Sequence, residues 1–269
     1  MSDTVAHADP APGSADAPGA TKRSGRRLDG ETVLMLVVPP VLVLLTFAGY
    51  VVWRQTADLT GAELEQLAWP LVIDLIQRHV SLTLVSSALV VLIAVPLGIG
   101  LTRGPLRRIS PLVVGVANAG QGAPSIGLIV LLAIWVGYGF WTAVISLTLY
   151  GILPVLRNTV TGLQGVDPTL VEAGRGLGMS SAAVLLRVEL PLALPVIMAG
   201  VRTALVLVVG TATLATFING GGLGAIIQTG ISLFLPSLIV AGAVLVALLA
   251  LLIEWLGRVL ELVARPKGV

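Results

Sequence analysis

Two stretches of this chain, residues 109–156 and 203–253, contain no Asp, Glu, Lys or Arg. A lipid bilayer accommodates such runs as helices, which satisfy every backbone hydrogen bond internally. About 20 apolar residues rising about 1.5 Å each cross a hydrocarbon core of about 30 Å, so each run is long enough for two crossings. Turn signals divide them, Gly137-Tyr138-Gly139 in the first and Asn219-Gly220-Gly221-Gly222 in the second. With two further apolar runs, the sequence predicts six helices, near 33–52, 80–101, 112–136, 140–156, 192–218 and 235–255. A mean hydropathy of +0.99, with 56% apolar and 11% charged residues, agrees with one all-α polytopic membrane domain whose apolar surface faces lipid.

Charge placement orients these spans. With both termini in the cytoplasm, the inner segments hold Arg103, Arg107, Arg108, Arg157, Arg175, Arg187 and Arg258, together with the basic clusters near the two ends, while only Arg54 and Arg78 fall outside. The pI of about 9.4 rests on a net charge of only +2, so it does not indicate nucleic acid. The organisation that follows is a disordered cytoplasmic tail over 1–30, rich in Ala, Pro, Gly and Asp; an anchor helix over 31–54; an external connection over 55–79, with an interfacial helix at 71–76; the main membrane domain over 80–260; and a cytoplasmic tail over 261–269. Thr46-Phe47-Ala48 weakly resembles a signal-peptide cleavage site, but the apolar run continues to Val52, which favours an uncleaved anchor.

Residues 166–191, VDPTLVEAGRGLGMSSAAVLLRVELP, interrupt the apolar pattern with charge and glycine. They read as two short helices joined by a glycine turn. Asp167 is a good N-cap, Pro168 suits the first helical position, and Gly176 or Gly178 can take the left-handed conformation that ends a helix. Ser180 or Ser181 can cap the second helix. Leu170, Ala173 or Gly174, and Leu177 recur on one small apolar face, beside which Glu172 and Arg175 can pair. Such a loop is built to dock, and the positive-inside rule places it in the cytoplasm.

Glu172-Ala173, Gly178 and Leu190-Pro191 resemble the EAA motif of binding-protein-dependent ABC importer permeases, with Gly174 where a second alanine is usual and Val188 where isoleucine is usual. The surrounding text, from QGAPSIGLIVLL through LYGILPVLRNTVTGL to ATLATFINGGGLG, is similar to the osmoprotectant branch, and the likeness covers roughly 71–264. The resemblance implies a type I ABC importer transmembrane domain in a bacterial plasma membrane, with residues 166–191 as a coupling helix seated in a separate cytoplasmic ATPase subunit. Asp167, Glu172, Ala173, Gly174, Arg175, Gly178, Leu190 and Pro191 would form that coupling element. It implies as partners an external solute-binding protein and a second permease, a copy or a paralogue, and as cargo glycine betaine, choline, carnitine or a proline-type solute. Methionine, phosphonate and taurine-like importers share the pattern and are the nearest rivals.

Other chemistries lack their residues. The lysines are Lys22, followed by Arg, and Lys267, followed by Gly, so no Walker A loop exists. His7 and His79 are the only histidines and cysteine is absent, which gives no metal cluster, no thiolate and no expected cofactor. The uncharged runs hold no carboxylate to couple an ion in a secondary transporter, and no acid, base or metal set converges for an enzyme. Neutral residues can line a path: Asn118, Gln121 and Ser125 around the Gly120–Pro124 break, and Thr211, Thr213, Thr216 and Asn219 along the fifth helix. The same small polar residues equally serve helix packing. Arg202, inside an apolar helix, is either a gate or a packing residue whose guanidinium finds a local partner.

Overall fold

The computed structural model describes residues 30–264, with side chains described for 34–262, and the regular structure among these residues is all helical. Both tails expected from the sequence, with Lys22, Arg23, Arg26, Arg27, Arg265 and Lys267, lie outside them, apart from the last residues of the final helix.

The chain begins with α1 (Gly30–Thr56), turns through α2 (Gly61–Gln66) and enters α3 (Trp69–Leu101). A 3-10 turn over Gly104–Arg108 leads to α4 (Ser110–Gln121) and α5 (Ser125–Val136), followed by α6 (Phe140–Gln164). Beyond a loop come α7 (Pro168–Gly176), the single turn α8 (Ser181–Val184), a π turn over Leu185–Glu189 and α9 (Leu190–Thr211). A 3-10 segment (Ala212–Ile218), α10 (Gly224–Ser232) and α11 (Pro236–Ala264) complete the bundle. Among the described residues five helices are long and apolar enough to cross a membrane, and the pair α4–α5, bent by 99°, makes a sixth span if counted as one. The bend follows from Pro124, which has no N–H for the helical ladder and sits extended at φ −61°, ψ 119°. The third expected crossing is thus two short helices meeting at a sharp bend.

The centre is α3, α6 and α9. Leu82, Ala143, Val144, Leu147, Val208 and Ala212 form one buried cluster, and Val90, Ala94, Val155, Val160 and Ala204 continue it. The helices approach closely at Gly151, where an added Cβ would lie 2.8 Å from Val90 Cγ2 and 2.9 Å from Val208 Cγ2. Small residues at such crossings let backbones meet where lipid supplies no hydrophobic drive for association.

Three boundaries differ from the sequence reading. The second span starts at Trp69, and residues 71–76 are its first turns instead of a separate interfacial helix. Arg78 and His79 look like an edge in sequence, yet Arg78 pairs with Asp74 one turn back and His79 is fully buried. The fifth span runs from Ser181 to Ile218, through the π turn and into the 3-10 segment, so the second short helix of the loop is its first turn. Finally, α10 occupies residues where no helix is expected; Gly224 sets it so tightly on the 3-10 segment that a Cβ there would come within 2.0 Å of the Thr213 carbonyl oxygen.

α1 lies at the periphery, with 6% of its span buried. It is held at both ends. Trp255 Nε1 on α11 donates to the Leu36 carbonyl at 2.8 Å, and Arg54 donates from Nε to the Leu67 carbonyl at 2.8 Å while its guanidinium lies 4.9 Å from the centre of the Trp69 ring. α2 is tied down through a capping box between Thr60 and Glu63, whose carboxylate also accepts from the Ser237 hydroxyl at the start of α11.

Candidate functional site: the charged loop between α6 and α9

Asp167 caps α7 as its sequence demands, its carboxylate accepting from the Thr169 N–H at 2.9 Å. That backbone donor, with the Thr169 side chain, holds the Asp167 carboxyl below its ordinary value of 3.8. Of the two candidate turn glycines, Gly178 takes the left-handed conformation at φ +80°, and Ser180, not Ser181, caps α8 by accepting from the Ala183 N–H. Ala173 shares the exposed side of α7 with Leu170, 47% exposed, while Leu177 at its end is 84% exposed. Gly174 faces inward, where a Cβ would meet Met179 Sδ at 3.4 Å, Val184 Cγ2 at 3.5 Å and Val188 Cγ2 at 3.7 Å. The loop therefore folds back on the foot of α9 through Gly174 and presents Leu170, Ala173 and Leu177 outward.

Glu172 and Arg175 are both exposed, and no Glu172–Arg175 ion pair occurs among the described residues. They line instead a cavity of about 210 Å³ with Arg103, Arg107, Gln164 and Glu189. Within it Arg103 makes a forked ion pair with Glu189: Nη1 donates to Oε1 at 3.2 Å and Nη2 to Oε2. Glu189 is 5% exposed, and with the residues before it forms the π turn. The Leu190 N–H bonds back to the Leu185 carbonyl. Pro191 follows with no N–H to give and a ring that crowds the carbonyl four residues earlier, which the widened turn accommodates. Sequence reasoning missed this pair, because its members are 86 residues apart and only the charge of each is visible locally.

The remaining candidates fall in two places. Asn118 is exposed and Gln121 and Ser125 half-buried at the α4–α5 bend. On α9 and the 3-10 segment, Thr211 donates to the Leu207 carbonyl at 2.6 Å, Thr213 to the Gly210 carbonyl at 2.6 Å and Thr216 to Gln228 Oε1 at 3.1 Å. Asn219 ends the 3-10 segment in the left-handed conformation at φ 59° and is exposed. Arg202 Nη1 pairs with Glu261 Oε2 at 3.2 Å near the end of α11, so its charge is met locally. His79 joins three elements: Nδ1 accepts from the Leu223 N–H at 3.2 Å, which leaves Nε2 to donate to the Val209 carbonyl at 2.9 Å.

The architecture, a polytopic helical bundle with a capped charged loop between two of its central helices, is that of the transmembrane domain of a type I ABC importer. The fold is that of the methionine ABC transporter MetNI solved in an inward-facing form, with a TM-score of 0.65 at 25% identity, covering 75% of this chain and 99% of that one. The model for the binding-protein-dependent transport system inner membrane component matches residues 94–264, and the chain belongs to that family. Among similar proteins, the choline transport system permease protein OpuBB of Bacillus subtilis (strain 168) is 43% identical over 192 residues, 71% of this chain and 88% of that protein. The glycine betaine/carnitine/choline transport system permease protein OpuCB of the same organism is 41% identical over 192 residues, with the same coverage. The chain is thus an inner-membrane permease component of an ABC import system.

Proposed function

We propose that this permease forms the transmembrane pathway for a compatible solute such as glycine betaine, choline, carnitine or proline, driven by ATP hydrolysed in a separate ATPase subunit. The observation that carries the coupling role is α7: a capped helix, its inner side packed on the foot of α9 at Gly174 and its outer side, Leu170, Ala173 and Leu177, left open. An open apolar face at a bundle end rich in arginine fits a cytoplasmic partner cleft. The solute class rests on the relatives at 41% and 43% identity, whose names specify choline, glycine betaine and carnitine, against 25% for the methionine transporter.

In this reading both termini are cytoplasmic, a second permease encloses the path, and an external binding protein delivers the solute and sets its selectivity. Concentrating a solute a thousandfold costs about 4 kcal/mol, so the loop must transmit work from ATP. This subunit supplies motion and a passage, with no reaction chemistry of its own. The α4–α5 bend, with Asn118, Gln121 and Ser125, is the pathway candidate, since interrupted backbone is tolerated in a membrane only against protein or water. The threonines of α9 and the following segment, whose hydroxyls are committed within the chain, serve packing, as does Arg202. The experiment is uptake of labelled glycine betaine or choline into vesicles carrying permease, ATPase and binding protein, compared with Glu172→Lys and Gly178→Val. Glu172→Lys reverses a charge on the docking loop, and Gly178→Val forces a β-branched residue to φ +80°. Both should insert in the membrane yet lose ATPase co-purification or uptake; wild-type behaviour in both would refute the docking role.

A further inference from the structure

We propose that the Arg103–Glu189 ion pair is the strut that carries displacement of the 166–191 loop into α3, making the two residues positioning residues for coupling, distinct from the face that docks the ATPase. This rests on the coupling role assigned to α7 above. The loop is covalently continuous with α6 and α9 only. α3 is the third central helix, and its end meets the loop's exit through this pair. Val95 and Ile99 of α3 already pack beside Leu163, Ala193 and Ile197, and to these non-directional apolar contacts the ion pair adds a directional link from the loop itself to α3.

The chemistry suits a strut. A two-pronged guanidinium–carboxylate contact fixes angle as well as distance, which a single-point lysine contact does not. Glu189 is 5% exposed, so competition from water is small. On the other side, Arg103 is an extended residue, φ −118°, ψ 149°, between α3 and the 3-10 turn. Its position is fixed by its own N–H bonding to the Gly100 carbonyl at 3.0 Å and by the Thr102 hydroxyl bonding to Ile99 at 2.7 Å. Glu189 closes the π turn, the point in the loop–α9 rod where the helical ladder is interrupted and bending is easiest. The strut therefore braces the weakest section of the rod. The apolar docking face is elsewhere: Leu170, Ala173 and Leu177 make no part of the cavity around the pair, which Glu172 of the same loop borders.

The test uses the complete transporter in proteoliposomes with Glu189→Gln, Arg103→Lys and the exchanged pair Arg103→Glu/Glu189→Arg, reading ATPase co-purification, ATP hydrolysis and solute uptake. Expected are wild-type co-purification, retained hydrolysis and a fall of about tenfold in uptake per ATP for Glu189→Gln, within the range that coupling between sites spans. Arg103→Lys should fall between, and the exchanged pair should recover most of the loss. Unchanged uptake per ATP in Glu189→Gln overturns the strut.

A second measurement needs no transport. Because the chain contains no cysteine, spin labels can be placed uniquely at exposed Gly176 on α7 and Leu106 beyond α3. Their distance distribution in the permease alone should be narrow in wild type, broaden in Glu189→Gln and narrow again in the exchanged pair. Equal widths in wild type and Glu189→Gln overturn the strut even if the exchanged pair fails to fold. If wild-type vesicles take up no compatible solute, the proposed function fails while the label distances still decide the strut.

Discussion

Replacing Trp255 by Phe isolates one hydrogen bond inside the membrane whose reason for existing is a missing donor elsewhere. Pro40 lies within α1 and has no N–H, so the Leu36 carbonyl four residues earlier lacks its helical partner. Trp255 Nε1 supplies it from α11 at 2.8 Å. Trp255→Phe keeps most of the ring and removes the donor. Interhelical hydrogen bonds in membrane proteins contribute about 0.6 kcal/mol on average and about 1.7 at most. A buried carbonyl left without any partner costs about 1–3 kcal/mol. The substitution should therefore destabilise by about 1.5 kcal/mol, or about tenfold in the equilibrium constant. In a Pro40→Ala background the backbone N–H returns, the carbonyl is no longer orphaned, and the same substitution should cost about 0.5 kcal/mol. The assay is a double-mutant cycle by denaturant titration in mixed micelles, following helicity and the protease sensitivity of the α1–α2 connection. Equal costs in both backgrounds would refute the argument that Trp255 replaces the donor Pro40 lacks.

Gly174 and Gly224 should respond oppositely to alanine. At Gly174 the new Cβ finds ordinary contacts of 3.4–3.7 Å, so Gly174→Ala should leave stability unchanged or raise it by up to about 1 kcal/mol. Gly224→Ala meets the Thr213 backbone at 2.0 Å and should cost about 3 kcal/mol, seen as lost monodispersity or a lowered Tm. Ser237, with Thr60, holds the Glu63 carboxyl below its ordinary value of 4.5. A depressed carboxyl stabilises only while ionised, so the α2–α11 clip should be complete above about pH 4.5 and open as pH falls through the lower folded value. Amide exchange over 61–67 against pH measures this, and Glu63→Gln should abolish the dependence. A reporter fused after Gly139 should read external and one after Gly165 cytoplasmic, and reversed signals would refute the assigned orientation.

The crossings were legible because they are written as absence of charge, a signal that neither packing nor partners can disguise. Asp167-Pro168 and Gly178 were legible for a local reason: caps and left-handed turns depend on side chains a few residues apart. What escaped depends on distant partners. Arg78 and His79 mark an edge until Asp74 and the Val209 and Leu223 backbones are brought beside them. The helix at Gly224–Ser232 follows a glycine run that reads as a turn, and only contact with Thr213 explains why glycine is needed there. Periodicity left Ala173 and Gly174 equivalent on one small face; Met179, Val184 and Val188 decide that Gly174 turns inward. The Arg103–Glu189 pair shows the same limit across 86 residues.

The π turn at Leu185–Glu189 also sets a phase. An α-helix advances about 100° per residue, and a π turn is an α-helix holding one residue too many. Removing a single residue from this turn would draw the ladder toward ordinary α-helix, at the cost of crowding the Pro191 ring. Everything on its N-terminal side would then rotate by about 100° about the rod axis relative to α9. The outward-facing leucines of α7 would swing off their bearing without any change in their own sequence. The aim of the loop is thus stored as a count of residues, and a deletion of one residue changes it more than most substitutions on the face itself.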